Sequence, residues 1–175
     1  MEAGLDPSVA SVASVFISRW DRAVASIVGP ELSNRLGIAV ARQTYRAYRE
    51  LLDSPRFQRL ANAGVRPQRL LWASTGTKDP NASDVLYVSA LQAPFTINTM
   101  PEDTLLRFAE HGELAEPLHA DGGDAESVLA QFAAAGVDCG ALGNRLQLEG
   151  AAAFVASWGE LLDVITTRRR ALAAA

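Results

Sequence analysis

Residues 8–19 read S-V-A-S-V-A-S-V-F-I-S-R, a run of β-branched, aromatic and small side chains with no charge before Arg19. A short uncharged run of this kind predicts a strand buried on both faces, as in a parallel sheet, with a buried helical segment as the alternative. Two further runs have the same character, residues 68–74 (Q-R-L-L-W-A-S) and 94–99 (P-F-T-I-N-T). The three runs predict the strands on which the fold is built.

Segments with helical periodicity separate and follow these strands. In residues 31–52, Tyr45, Tyr48 and Leu52 fall three and four positions apart, as on one face of a helix. The sequence Asp53-Ser54-Pro55 interrupts that helix, and Gly64 predicts the end of the piece that follows. Shorter helices are predicted over residues 20–29, 83–92, 99–112 and 125–135.

Two helix signals are more specific. Thr99-Met100-Pro101-Glu102 has the form of a capping box for the helix predicted over residues 99–112. Ser83 or Asp84 is placed to cap the helix predicted over residues 83–92. In the C-terminal segment, apolar residues recur at alternating spacings of three and four, which predicts a long helix with one packing face. That stripe consists of Leu148, Ala151, Val155, Trp158, Leu162 and Ile165.

The order of strands and helices predicts an α/β fold, because helical crossovers place successive strands side by side and parallel. Three strands are few for such a sheet. The chain is therefore expected to be either a small three-layer α/β domain or one part of a larger domain.

Composition excludes several classes of function. The chain is 49% hydrophobic and 21% charged, with a net charge of −4, which argues against disorder and against a dedicated nucleic-acid surface. No apolar run approaches the roughly 20 residues that cross a bilayer, so no membrane association is expected. The single cysteine, Cys139, forms no internal disulfide, which fits a cytoplasmic protein. Of sixteen basic residues, only Lys78 is a lysine.

In parallel α/β folds, chemistry gathers at the carboxyl ends of the strands. Those ends carry hydroxyls, cations and a glycine but no carboxylate; the residues are Ser14, Phe16 and Arg19, then Ser74, Thr75, Gly76, Thr77 and Lys78, then Asn98 and Thr99. Hydroxyls, a guanidinium, an ammonium and inward backbone N–H groups are what a phosphate ester requires. The alternative is that the cations are solvated loop charges and the serines small packing residues.

Several long blocks in order resemble the C-terminal half of bacterial transaldolases. They are V-A-S-V-A-S-V-F-I-S-R-W-D (9–21), R-L-L-W-A-S-T-G-T-K-D-P (69–80), S-D-V-L-Y-V (83–88), T-I-N-T-M-P-E (96–102) and A-G-V-D (135–138). The resemblance extends from about residue 8 to residue 165. It implies that residues 1–175 form a single partial domain, namely strands six to eight of a TIM (β/α)8 barrel with a long C-terminal covering helix.

The resemblance also implies an activity. Transaldolases of the pentose phosphate pathway transfer a dihydroxyacetone unit from sedoheptulose 7-phosphate or fructose 6-phosphate to an aldose phosphate through a lysine Schiff base, without a cofactor. By position, Ser14 resembles the serine that binds the hydroxyls of the three-carbon unit, and Phe16 the aromatic residue beside it. Arg19, Ser74 and Lys78 resemble the residues that bind the substrate phosphate.

The chain departs from the family pattern in what it lacks. In the family, the Schiff-base lysine and the acid–base carboxylates lie on strands before the block that matches residues 9–19, so no catalytic residue is assigned to this chain. The lone Lys78 falls in a phosphate loop and not on the lysine strand. The expected partners are phosphorylated sugars and either an N-terminal half-barrel chain or a second copy. The alternative function is a truncated, inactive phosphosugar-binding or interaction domain.

The remaining candidates predict no further site. His111 and His119 are not spaced like helical metal ligands, and no cysteine or further histidine joins them, so no metal site is expected. Arg168-Arg169-Arg170 is interpreted as a solvated helix end that the helix dipole favours.

Overall fold

The computed structural model describes residue 4 and residues 6–173. Its elements in chain order are β1 (Val12–Phe16), α1 (Ile17–Val24), a 3₁₀ turn (Pro30–Leu32), α2 (Leu36–Asp53), α3 (Pro55–Asn62), β2 (Arg69–Ala73), α4 (Leu86–Ala90), β3 (Thr96–Asn98), α5 (Glu102–His111), α6 (Ala125–Ala134) and α7 (Cys139–Ala173). The chain divides into two compact units, one up to Val137 and one from Asp138 onward.

The first unit is built on a three-stranded parallel sheet in the order β1-β2-β3. In the register of the sheet, Ser14 lies beside Leu71 and Phe16 beside Ala73, and Leu71 in turn lies beside Ile97. The predicted α/β class and the three parallel strands are confirmed. Each strand is shorter than its apolar run, since only the central residues join the ladder.

The first predicted strand ends earlier than expected. Strand β1 stops at Phe16, and Ile17, Ser18 and Arg19 form the first turn of α1. The uncharged β-branched run concealed this boundary, because Ile17 is completely buried in a helix just as it would be in a buried strand. The buried helical segment that was the alternative for residues 8–19 is thus found in residues 17–19.

Two predicted helix caps are wrong. Helix α5 begins at Glu102 after Pro101 and has no side-chain cap, because Pro101 and not Thr99 occupies the N-cap position. The backbone N–H and the hydroxyl of Thr99 instead both donate to the carbonyl of Trp72, at 2.9 and 3.3 Å. Thr99 therefore extends the pairing of β2 and β3. Helix α4 likewise begins at Leu86 without a side-chain cap.

The signals between the first and second strands were mostly correct. Ser54 accepts a hydrogen bond from the N–H of Phe57 at 3.2 Å, which caps α3 after the predicted break. Gly64 has φ +91°, a conformation that suits glycine after a helix end. Helix α2 begins five residues later than predicted, because Asn34 takes a left-handed conformation (φ 60°) after the 3₁₀ turn.

The hydrophobic core lies on one face of the sheet. Trp72 is completely buried there, and Tyr45 of α2 and Tyr87 of α4 are each 1% exposed. Val15 of β1 packs against this cluster. Because side chains alternate along a strand, Ser14 and Phe16 must point to the opposite face.

The opposite face of the sheet is open. Val12 is 44% exposed, and Ser14 and Arg69 are also exposed. A cavity of 530 Å³ lies along this face beside Val12, Arg69 and Ile97. The residues assigned to substrate binding on β1 therefore lie on the uncovered face.

The second unit is α7, a helix of 35 residues. The predicted long helix is present and begins before the predicted stripe. The large side chains of that stripe are 44–73% exposed. Of the helices in the described part of the chain, α7 included, none combines the length and the apolar character needed to cross a membrane.

The outer edges of the sheet generate the first prediction. Within the described residues, β1 and β3 each pair on one side only. Unpaired parallel edges beside an open face that exposes Val12 favour association, so we expect the chain to be oligomeric or to aggregate, as measured by size-exclusion chromatography with light scattering. Val12→Lys should reduce association, because a charge on the edge strand opposes pairing, whereas Ile27→Lys, outside the sheet, should not. A monodisperse wild-type monomer would contradict this prediction.

Candidate phosphate-binding site

Three of the predicted site residues lie together at the carboxyl end of β1. Ser14 and Phe16 share the open face, two positions apart on the strand. The guanidinium carbon of Arg19, in the first turn of α1, lies 4.3 Å from the centroid of the Phe16 ring. A cation over an aromatic face is attracted by the ring electrons, so this contact holds Arg19 beside the open face.

Ser74 joins this group through its neighbour Ser18. The N–H of Ser18 donates to the carbonyl of Ser74 at 3.1 Å, and the two hydroxyl oxygens lie 2.8 Å apart. Since Ser18 immediately precedes Arg19, these contacts hold the end of β2 against the first turn of α1. Ser74 itself is half-buried, and its backbone is left-handed, with φ 56°.

Lys78 is exposed on the loop after β2. It borders two cavities, one of 350 Å³ that Ser18 and Asp21 also line, and one of 620 Å³ lined by Thr77 and Arg107 among others. Lys78 is therefore beside the α1–β2 junction, but its amine is not enclosed by protein.

The loop that carries Lys78 is held by Asp79. Its carboxylate accepts hydrogen bonds from the N–H of Asn81 at 2.9 Å and from the side-chain amide of Asn34 at 2.7 Å. These two hydrogen bonds, that of Asn81 first, lower the pKa of Asp79 from its ordinary value. The next residue after Lys78 is thus an anchored anion, which limits how far the lysine can move.

Several strand-end residues have structural roles instead of facing a ligand. Thr75 is completely buried, and its hydroxyl lies 2.8 Å from Oδ1 of Asn98 and 3.1 Å from the carbonyl oxygen of Thr99. These contacts link β2 to β3. At Gly76, an added Cβ would lie 3.1 Å from Cγ of Pro101, so the glycine permits close packing there.

Sequence reasoning missed Asp21. This carboxylate is 6% exposed and accepts hydrogen bonds from the N–H of Leu36 at 2.8 Å, the N–H of Gly37 at 3.2 Å and the hydroxyl of Tyr87 at 2.8 Å. Burial raises the pKa of Asp21, and the hydrogen bonds from Tyr87 and the two amides oppose that shift. Burial and the neighbouring carboxylate also raise the pKa of Tyr87, which keeps its hydroxyl protonated as a donor.

Asp21 fixes α1 against the start of α2. A carboxylate at a helix N-terminus satisfies amides that have no partner within the helix, and the helix dipole favours its charge. A Cβ at position 37 would lie 2.6 Å from the carbonyl oxygen of Ile17 and 2.7 Å from Oδ2 of Asp21, so only glycine permits this approach. The only sequence signal for a role of Asp21 was its position two residues after Arg19, and that position does not show that the carboxylate is buried.

His111 takes part in a surface pair. Its Nε2 lies 2.9 Å from Oδ1 of Asp84, and this contact is the main reason that the pKa of Asp84 is lowered. Among the described residues, no group of three or more histidine, cysteine, aspartate or glutamate side chains could hold a metal ion.

Comparison with known proteins identifies the class. The family model described as transaldolase/fructose-6-phosphate aldolase matches residues 1–165. The transaldolase of Parafrankia sp. (strain EAN1pec) is 47% identical over 174 residues, which cover 94% of this chain and 47% of the relative. The transaldolase of Acidothermus cellulolyticus is 44% identical over 95% of this chain and 47% of the relative. That of Mycobacterium ulcerans is 42% identical over 98% of this chain and 49% of the relative.

The chain belongs to the transaldolase/fructose-6-phosphate aldolase family. The resemblance inferred from its sequence blocks is thereby confirmed. The chain spans about half the length of the curated relatives that it matches.

The contacts of Asp21 lead to the second prediction. Asp21→Ala should reduce the free energy of unfolding by roughly 2 to 4 kcal/mol, because three buried donors would lose their acceptor. Asp21→Asn keeps one acceptor oxygen and should lose less. Urea denaturation measures both, with Asp163→Ala on the exposed surface of α7 as the control. Equal stabilities of the Ala variants at positions 21 and 163 would show that the buried network contributes nothing.

Proposed function

We propose that these residues form the substrate-binding part of a transaldolase, the last three β/α units of a TIM barrel within residues 1–175. Membership of the family supports an enzyme of the transferase class. The observation that carries the proposal is the grouping of Ser14 and Phe16 on the open face of β1 with Arg19 of α1, which lies over the Phe16 ring. Ser74 is joined to this group through Ser18. In a barrel this open face would line the interior, at the carboxyl ends of the strands where substrates bind.

Each residue has a distinct role in this proposal. Arg19 binds the substrate phosphate through its planar set of N–H donors, and Ser74 and Lys78 add a hydroxyl and a second cation. Ser14 donates to or accepts from the hydroxyls of the three-carbon unit, and Phe16 packs beside it. The substrates are sedoheptulose 7-phosphate or fructose 6-phosphate as donor and an aldose phosphate as acceptor, handled in the cytoplasm.

The covalent step belongs to a lysine outside these 175 residues. A lysine amine condenses with the donor carbonyl and releases water, and the resulting iminium accepts the electron pair of the C–C bond that breaks. A Schiff-base lysine works in a desolvated pocket, whereas Lys78 is exposed on the loop after β2. The upstream half of the barrel, in the same polypeptide or in a separate one, would supply the lysine and the acid–base carboxylates.

The second candidate is an inactive domain that binds phosphosugars or a partner protein. The observation that favours it is that Lys78, the only lysine in residues 1–175, is exposed on a loop. In that case the phosphate ligands are retained while no Schiff base forms. The partner would be a second copy of this chain or a separate N-terminal half-barrel.

The third prediction tests the phosphate site. Arg19→Ala should weaken binding of fructose 6-phosphate by roughly 10- to 100-fold, since a charge-assisted hydrogen bond to phosphate is lost. Isothermal titration calorimetry measures this, with fructose as the unphosphorylated comparison. Arg169→Ala, in the arginine run of α7, is the matched control and should bind as the wild type does. Equal losses in the two variants would refute the assignment.

The fourth prediction separates the two candidate functions. Borohydride trapping with labelled fructose 6-phosphate should leave this chain unlabelled, because it holds no Schiff-base lysine. After addition of the N-terminal half of the Parafrankia relative, label should appear on that half if the two pieces form a working enzyme. Lys78→Arg should not change the labelling.

Other outcomes of the trapping experiment are equally informative. Absence of label with both halves present, although fructose 6-phosphate still binds, would support the inactive binding domain. Label on Lys78 of this chain alone would contradict both candidates.

A further inference from the structure

Ser18 contacts both the backbone and the side chain of Ser74, although the proposed substrate site assigns no role to Ser18. Ser18 is 2% exposed although it lines the 350 Å³ cavity beside Lys78, whereas Ser74 is half-buried at the end of β2. Two contacts join them, the 3.1 Å hydrogen bond from the N–H of Ser18 to the carbonyl of Ser74 and the 2.8 Å approach of their hydroxyl oxygens. Backbone and side chain of Ser74 are thus both held by the same residue.

Ser74 needs such support because its backbone is strained. A non-glycine residue with φ 56° brings its Cβ close to its own backbone, and this conformation persists only where the surroundings enforce it. Residues held in this way are common at ligand sites, where the strain aims a group in a set direction. Here the turn at Ser74 sends Thr75 into the core.

The hydroxyl pair also has a defined proton count. A phosphate dianion offers only acceptor oxygens, and a serine hydroxyl has a single proton to donate. If Ser74 donates that proton to a phosphate, it can only accept from Ser18, and Ser18 must be the donor across the 2.8 Å contact. The buried hydroxyl would then decide which way the ligand-facing hydroxyl points.

We propose that Ser18 is a positioning residue of the phosphate site, which holds Ser74 in its left-handed conformation and donates to its hydroxyl so that Ser74 donates to the substrate phosphate. This inference rests on the proposed function, since it requires that the site bind a phosphosugar. Ser18 itself does not contact the ligand, in keeping with its burial.

The test is a double-mutant cycle on the whole 175-residue chain in its soluble assembly. Affinity for fructose 6-phosphate is measured by calorimetry for the wild type, Ser18→Ala, Ser74→Ala and the double variant. Ser18→Ala should weaken binding by roughly 3- to 10-fold, as expected for the loss of one hydrogen bond that orients a ligand donor. In the Ser74→Ala background the same change should have no further effect on affinity.

Two additional variants distinguish positioning from general damage to the fold. Ser18→Cys keeps a similar volume and a weak donor, so its affinity should fall between those of the wild type and Ser18→Ala. Ser89→Ala, at a half-buried serine of α4, is the matched control and should bind normally. The thermal midpoint of each variant shows whether it is folded.

The outcomes are separable. The role of Ser18 would be overturned if Ser18→Ala bound fructose 6-phosphate with wild-type affinity. It would also be overturned if Ser18→Ala reduced the affinity equally in the wild-type and Ser74→Ala backgrounds. Either result would leave the proposed function intact. No binding of fructose 6-phosphate by the wild type would overturn the proposed function and the role of Ser18 with it.

Discussion

The buried carboxylate of Asp21 is the interaction on which the arrangement of the site depends. A charge that is 6% exposed is costly unless donors surround it, and Asp21 has three, from two backbone amides at the start of α2 and from Tyr87 of α4. These hydrogen bonds allow little rotation of α1. Because the helix is fixed, the side chains on its other faces have defined directions as well.

Helix α1 connects the core to the candidate site. Ile17 and Val24 are buried, Ser18 contacts the end of β2, and Arg19 lies over Phe16. A single short helix thereby contacts the end of β2 through Ser18 and the ring of Phe16 on β1 through Arg19. The close approach of α2 at Gly37 leaves no room for the helix to move outward.

The sheet has one covered face and one open face, and this asymmetry links the fold to the proposed function. Trp72 lies in the core under the helices, whereas Ser14 is exposed on the opposite face. A closed barrel buries its inner face and pairs every strand edge. Under the proposed function, the open face and the outer edges of β1 and β3 are the surfaces that further β/α units of a barrel would cover.

The sequence by itself determined the α/β class, the three strands and the family, because these depend on local patterns: uncharged β-branched runs, helical periodicity and long ordered blocks. The site residues named from the same blocks stay a prediction. Tertiary structure decided what local patterns do not contain. The end of β1 at Phe16 could not be predicted, since complete burial makes Ile17 look the same in a strand and in a helix. The role of Thr99 was misjudged because its hydrogen-bond partner, the carbonyl of Trp72, is distant in sequence. For the same reason, the contacts of Ser18 and Asp21 could not be predicted from local patterns. Ser74 lies 56 residues after Ser18, and Tyr87 lies 66 residues after Asp21.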